Sequence, residues 1–173
     1  MVIRFLNLLS FLFIMSTTAA AQSPEEKLAQ SGVQLPPVSK PVANYVNIVQ
    51  TGKLLYLSGK GPTTPDGKDI TGKVGKDLSI DEGYAAARTV AFSHIAVLKD
   101  YLGDLKKVKR VIKVLGMVNC ESNFTQQPKV MNGYSDTMVE IFGEKGKHAR
   151  SAVGFHALPN NIAVEVEVIV EIE

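Results

Sequence analysis

The side chains best suited to chemistry in this sequence are Arg150 and Glu165. Arg150 stands in the run His148-Ala149-Arg150-Ser151-Ala152, which leads into a strand-like segment, and Glu165 follows a turn on the next such segment. A guanidinium at a strand start can present a planar fork to a carboxylate and make two parallel charge-assisted hydrogen bonds. On pattern alone, the same arginine reads more readily as a solvated side chain or as the partner of a nearby surface glutamate, as most arginines at strand ends are. The only histidines are His94, His148 and His156, and no two share a helix face with a carboxylate between them, so no metal site is expected. His148 and His156 read as loop and strand residues outside the chemistry. Cys120 is the single cysteine, which rules out an intramolecular disulfide, and it reads as a small buried hydrophobe. A Walker loop, a dinucleotide fingerprint and a Gly-x-Ser-x-Gly elbow are all missing, so the common nucleotide and hydrolase readings fail and no cofactor is expected.

Such a pair needs a scaffold, and the scaffold is legible in the pattern of apolar residues. Ile162, Val164, Val166, Val168, Val170 and Ile172 alternate with Glu165, Glu167 and Glu171, which predicts a strand with six apolar side chains facing a core and a carboxylate-bearing opposite face. Ser79-Ile80-Asp81-Glu82 matches a capping box, and Tyr84, Ala87, Ala91, Ile95, Leu98 and Leu102 follow at steps of three and four. A long amphipathic helix ending near Gly103 is expected there. A second helix follows Pro128, with Val130, Tyr134, Met138 and Ile141 on one face and Gly143 as its stop. Tyr45 to Gln50 and Leu54 to Gly59 flank Thr51-Gly52-Lys53 as a hairpin, and Arg110 to Cys120 reads as a central strand, with Gly116 as a packing or bulge residue. Lys60 to Asp77, rich in Gly and Pro, reads as a long surface loop. With helices after only some strands, the architecture is α+β: a single sheet with two helices packed on one face. The uncovered face predicts self-association.

Residues 1–21 form a segment of another kind. Arg4 precedes an apolar run from Phe5 to Met15, and Thr17-Thr18-Ala19-Ala20-Ala21 closes it with small residues. The apolar core is about ten residues, against the ~20 that span a bilayer, so a cleaved signal peptide is the reading and a retained anchor the alternative. The mature chain is then expected to begin near Gln22 and to be exported, to the periplasm or beyond. Residues 22–40 contain Pro24, Gly32, Pro36 and Pro37 and read as an arm or linker with little regular structure, leaving 41–173 as one domain. The formal charge of +2 falls by one when Arg4 is removed, and the remaining charges are interspersed, so neither a nucleic acid nor a membrane surface is an expected partner.

The run Ala149-Arg150-Ser151-Ala152-Val153, then Leu158-Pro159, then Val164-Glu165-Val166-Glu167-Val168-Ile169, resembles the C-terminal signature of the RidA/YjgF (reactive intermediate deaminase) family. The Tyr45 region, Leu57-Ser58-Gly59 and the Val108 to Val118 strand fall in matching order before it, so the resemblance covers nearly all of the chain from about Pro41. It implies a chorismate-mutase-like fold, a homotrimer whose sheets form an inner barrel, and clefts for a small carboxylate-bearing molecule between neighbouring subunits. It also implies roles. Arg150 would grip the substrate carboxylate and Glu165 would handle the water or proton. Tyr45, Ser58, Gly59 and Ala152 would line the pocket together with Asn132 or Ser135 from the second helix, whose register leaves both open. The implied reaction is hydrolysis of a small 2-imino acid to a 2-oxo acid and ammonia; the alternative is a trimeric binder that holds a carboxylate metabolite in the same cleft without turnover. Ribonuclease activity, also attached to the family, finds neither a basic stripe nor a histidine pair here. Three departures mark a divergent member: Ala152 where many deaminases have Cys, Lys60 where the family has Gln after Ser-Gly, and the long Lys60 to Asp77 loop.

Overall fold

Alternating valines make the middle of this molecule. In the computed structural model, which describes residues 22–41 and 43–173, the strand β5 (Val164–Ile172) buries Val164, Val166, Val168 and Val170 on one face. At roughly 1.5 kcal/mol or more per fully buried valine, that face contributes about 6 kcal/mol or more, comparable with the net stability of an ordinary domain. The strand lies at the centre of one five-stranded sheet together with β1 (Ile48–Thr51), β2 (Leu54–Lys60), β3 (Val108–Asn119) and β4 (Ala149–Phe155), in the order β1-β2-β5-β3-β4. β3 is therefore interior, as expected, but the central place belongs to β5. All neighbours are antiparallel except β3 and β4, which run parallel because a helix carries the chain between them.

Three helices accompany the sheet: α1 (Pro24–Gln30), α2 (Ile80–Leu102) and α3 (Gln127–Phe142). The two long ones pack side by side on the valine face, so the expected α+β architecture is the one observed. In α2 the capping box forms in both directions between Ser79 and Glu82, and Gly103 ends the helix at φ 74°, where a side chain would be strained. Ala87, Ala91, Ile95 and Leu98 are buried under it, as are Val130, Tyr134, Met138 and Ile141 under α3. The helices approach closely because α3 carries Gly133 at the contact: a Cβ there would run into the backbone carbonyl of Tyr84. Gly116 has the packing role expected of it, since the Met131 side chain occupies the space beside its Cα.

Three expectations need correction, and a fourth falls outside the described residues. The arm at residues 22–40 is not without regular structure: Pro24 sits in the first turn of α1, a position suited to proline, and Ser23 and Glu26 form a second reciprocal capping box. The arm is also fastened, because Glu25 Oε1 accepts from Lys99 Nζ at 3.1 Å and from the Leu105 amide at 2.6 Å, while Leu28, Val33, Leu35 and Val38 pack on the core. The segment from Lys60 to Asp77 is not wholly a surface loop, since Lys60 belongs to β2 and Val74 is fully buried, bridging to Cys120. Of the six apolar side chains assigned to one face, Ile162 goes elsewhere. It precedes β5 and joins Met117 and Leu158 in a small separate cluster. The expected signal peptide lies outside the described residues; among those described, no helix is long and apolar enough to cross a membrane.

The sheet's other face has no helices over it. Val49, Tyr56 and Ile169 lie across it in register, and Val49, Tyr56, Val153 and Phe155 are exposed.

Candidate active site

Arg150 sits on edge strand β4 opposite Val114, which in turn pairs with Val168, so its side chain rises on the helix-covered face. There α3 receives it. Arg150 Nη1 donates to Asn132 Oδ1 at 3.1 Å and to Ser135 Oγ at 2.9 Å, and Nη2 donates to the Pro128 carbonyl at 3.4 Å. Both second-helix candidates therefore reach the arginine: Asn132 and Ser135 are three apart and share one helix face. These contacts engage Nη1 twice and Nη2 once, and Nε has no hydrogen-bond partner among the described residues, which leaves the guanidinium with donor capacity on its Nε and Nη2 side. Every acceptor is neutral, and among the described residues no carboxylate forms an ion pair with Arg150. Partial burial lowers its pKa, with the carboxylate of Asp136 acting in the opposite direction.

His148, a loop residue as expected, joins this cluster by hydrogen bonding. Its Nε2 is 3.0 Å from Ser135 Oγ and its Nδ1 is 2.7 Å from the Gly146 carbonyl. Burial is the main cause that holds its pKa below the ordinary histidine value, and the charge of Arg150 adds to it. Ser135, Val139, Lys147, His148 and Arg150 line an open depression at this end of β4. The signal was present in the sequence, since His148 and Arg150 are two apart and so fall on one side of an extended chain. His156, by contrast, contributes only its backbone carbonyl, which accepts from Lys73 Nζ.

Glu165 occupies a different place. It pairs with Met117 on the sheet's open face and is half-buried, and burial first, then the neighbouring Glu167, raises its pKa. Its carboxylate presses on Gly59 so closely that any Cβ at that position would collide with Oε1. A register shift in β2 between Leu57 and Lys60 brings Gly59 to this spot. The adjoining Ser58 is held at both ends: its hydroxyl donates to the Val46 carbonyl at 2.6 Å, and its carbonyl lies 3.2 Å from His94 Nε2. His94 is fully buried, with Nδ1 2.9 Å from the Tyr134 hydroxyl, and desolvation drives its pKa down to about 4. Because a carbonyl only accepts, Nε2 carries the proton, and Tyr134 donates to Nδ1. This buried pair was not foreseen; a lone histidine among alanines and valines gives no pattern to read.

Ser58, Gly59 and Glu165 are thus brought together, and so are Asn132, Ser135 and Arg150, but the two groups do not meet within one chain. From Arg150 to Glu165 the path crosses two strand spacings and three residues along β5, about 14 Å between Cα atoms. Their side chains also point to opposite faces of the sheet. Ala152 lies beside Gly116 in register, one step along β4 from the Arg150 cluster. Tyr45 stands before β1, half-exposed, and its ring hydroxyl makes no hydrogen bond among the described residues. No three His, Cys, Asp or Glu side chains among the described residues converge as a metal site.

Residues 25–172 match the family model described as YjgF/chorismate mutase-like, a description that also carries an endoribonuclease label. Protein TCP17 of Trypanosoma cruzi is 43% identical over 146 residues, covering 84% of this chain and 91% of that protein. The 2-iminobutanoate/2-iminopropanoate deaminase of Dermatophagoides farinae is 31% identical over 142 residues, covering 82% and 95% respectively. Among solved structures, the protein Atu1372 of Agrobacterium tumefaciens, of unknown function, superposes with a TM-score of 0.80 at 40% identity, over 87% of this chain and 94% of that one.

Proposed function

This chain belongs to the YjgF/RidA family, and from that premise we propose that it is an imine deaminase, hydrolysing a small 2-imino acid to the 2-oxo acid and ammonia. The observation that carries the proposal is the state of Arg150: a guanidinium anchored by three neutral acceptors, with donor capacity left on its Nε and Nη2 side and no ion-paired carboxylate among the described residues. Such a group is a receptor for a carboxylate from outside the chain. The likeness to the mite deaminase supplies the reaction class.

In this reading the substrate carboxylate lies on the Nε and Nη2 edge of Arg150, and water adds to the C=N carbon. One C–O bond forms, and the nitrogen takes up protons, one of them from the attacking water by way of Glu165. The C–N bond then breaks to release ammonia and leave the carbonyl. A carboxyl group whose pKa is raised by burial exchanges protons near neutral pH more readily than an ordinary glutamate. Holding water and imine side by side accounts for much of the rate, because orientation alone can lower a barrier by up to ~7 to 11 kcal/mol.

The separation of Arg150 from Glu165 leads to a second part of the proposal, that the working site is built by two copies. One supplies the Arg150 cluster and its neighbour supplies Ser58, Gly59 and Glu165. The exposed apolar residues on the open sheet face favour an assembly of copies, and a homotrimer with the open faces inward is the arrangement proposed. Residues 1–21 carry the further proposal that the protein works outside the cytoplasm. Tyr45, half-exposed before β1, is assigned to the cleft on the family resemblance.

The test is ammonia release from 2-iminopropanoate generated in place, by the wild-type protein and by Arg150→Ala. Loss of two charge-assisted hydrogen bonds corresponds to a fall of about 100-fold or more. Equal, background-level release by both proteins, with Arg150-dependent binding of pyruvate, would establish a carboxylate binder in place of the enzyme.

A further inference from the structure

The hydrogen bonds around Arg150 run in one direction, and His148 sets it. The Gly146 carbonyl can only accept, so His148 Nδ1 carries the ring proton at that 2.7 Å contact. Nε2 is then a bare acceptor, and at 3.0 Å it takes the hydroxyl hydrogen of Ser135. With its hydrogen committed, Ser135 Oγ turns its lone pairs to Arg150 Nη1, 2.9 Å away. The ring itself is held in place by Tyr134, whose edge-to-face contact with it has a centroid separation of 6.3 Å and an angle of 77°. Each step depends on the one before: without an acceptor at Nε2, the Ser135 hydroxyl is free to rotate, and one of the anchors on Nη1 loses its direction.

We propose that His148 is a positioning residue for Arg150, acting through the Ser135 hydroxyl to hold the guanidinium with its Nε and Nη2 edge free for a carboxylate. This rests on the reading of Arg150 as the carboxylate grip. His148 touches no substrate in this arrangement. The charged and titratable groups around it are Arg150 and Lys147 on its own segment, with Glu144 paired to Lys147 at 2.8 Å, and Tyr134 and Asp136 on α3. Protonation of His148 converts Nε2 from acceptor to donor and brings two cations to one hydroxyl oxygen. The relay in its present direction therefore belongs to the neutral ring.

Four variants separate this role from simple packing: His148→Phe, which keeps a ring against Tyr134 but has no acceptor; His148→Gln, whose amide oxygen can replace Nε2; Ser135→Ala; and the double variant His148→Phe with Ser135→Ala. Nitrogen-15 NMR of the wild-type protein at neutral pH is expected to show the Nδ1–H tautomer for His148 and slowly exchanging Arg150 guanidinium signals. In His148→Phe those Arg150 signals are expected to broaden or collapse. Pyruvate binding is expected to weaken about tenfold in His148→Phe and in Ser135→Ala, with the double variant no worse than Ser135→Ala alone and His148→Gln close to wild type. An Nε2–H tautomer, undisturbed Arg150 signals in His148→Phe, or additive losses in the double variant would overturn the proposal. If the wild-type protein binds no pyruvate, it is the reading of Arg150 that fails, and the tautomer and guanidinium signals still decide the role of His148.

Discussion

The Arg150 end of β4 and the Glu165 end of β5 belong to one sheet, but different forces hold them. Arg150 is placed by hydrogen bonds: three neutral acceptors from α3, and a histidine that aims one of them. Glu165 is placed by packing, against a glycine that leaves just enough room and beneath partial burial that keeps its proton affinity high. The first region orients a permanent charge, and the second tunes a titrating one. An arginine remains charged in either setting, so its usefulness depends on direction; a carboxyl group used for proton transfer depends on its environment.

The largest effect that can break or sharpen this contrast comes from mixing. Arg150→Ala and Glu165→Gln are each expected to be inactive alone. If copies assemble as the proposed trimer and each chain supplies its two halves to different clefts, mixed assemblies regain activity in about one quarter of their clefts, because random pairing unites two intact halves that often. Ammonia release that stays at background after the two proteins are unfolded and refolded together, with trimers present, would show that both halves act within one chain. Next in size is Gly59→Ala. The added methyl meets the Glu165 carboxylate, and a displacement of about 1 Å can cost on the order of 100-fold in turnover. The melting temperature and pyruvate affinity of this variant should stay near wild type, which separates the proton-transfer half from the carboxylate half.

A smaller effect concerns stability. His94 is neutral in the folded chain, with its pKa near 4, whereas unfolding restores the ordinary value of 6.5. Between these values the unfolded state binds more protons, so stability is full above pH 6.5 and declines as the pH falls toward 4. The slope is up to about 1.4 kcal/mol per pH unit, seen as a falling denaturant midpoint that flattens in His94→Gln. The smallest effect belongs to the arm: Ser23→Ala removes one capping box at a cost of about 1 kcal/mol, and turnover should not change.

Much of the scaffold could be read in advance because it is periodic. The alternation through Val164 to Val170, the three-and-four spacing in α2 and α3, and the Ser79-Glu82 capping box each express a local rule, and each appears where expected. Reading failed where a local rule met a tertiary contact. Pro24 suggested an irregular arm, yet α1 forms because Glu25 and Leu28 find partners on the body of the protein. Val74, in a stretch of glycines, is drawn into the core by its bridge to Cys120. His148 gave a weak signal and His94 none, since each owes its partners to elements brought together only by folding.

What the amino-acid order determined by itself was the sheet, its two long helices, the family and the identity of Arg150 and Glu165 as the groups to examine. Periodicity and motif spacing are properties of neighbours along the chain, and a sequence records neighbours directly. The tertiary structure alone decided that both Asn132 and Ser135 reach Arg150, that His148 directs one of them, and that Arg150 and Glu165 stand about 14 Å apart on opposite faces. Those facts depend on the register between β3, β4 and β5 and on how close Gly133 lets α3 come to α2, and register is set by the whole packed core.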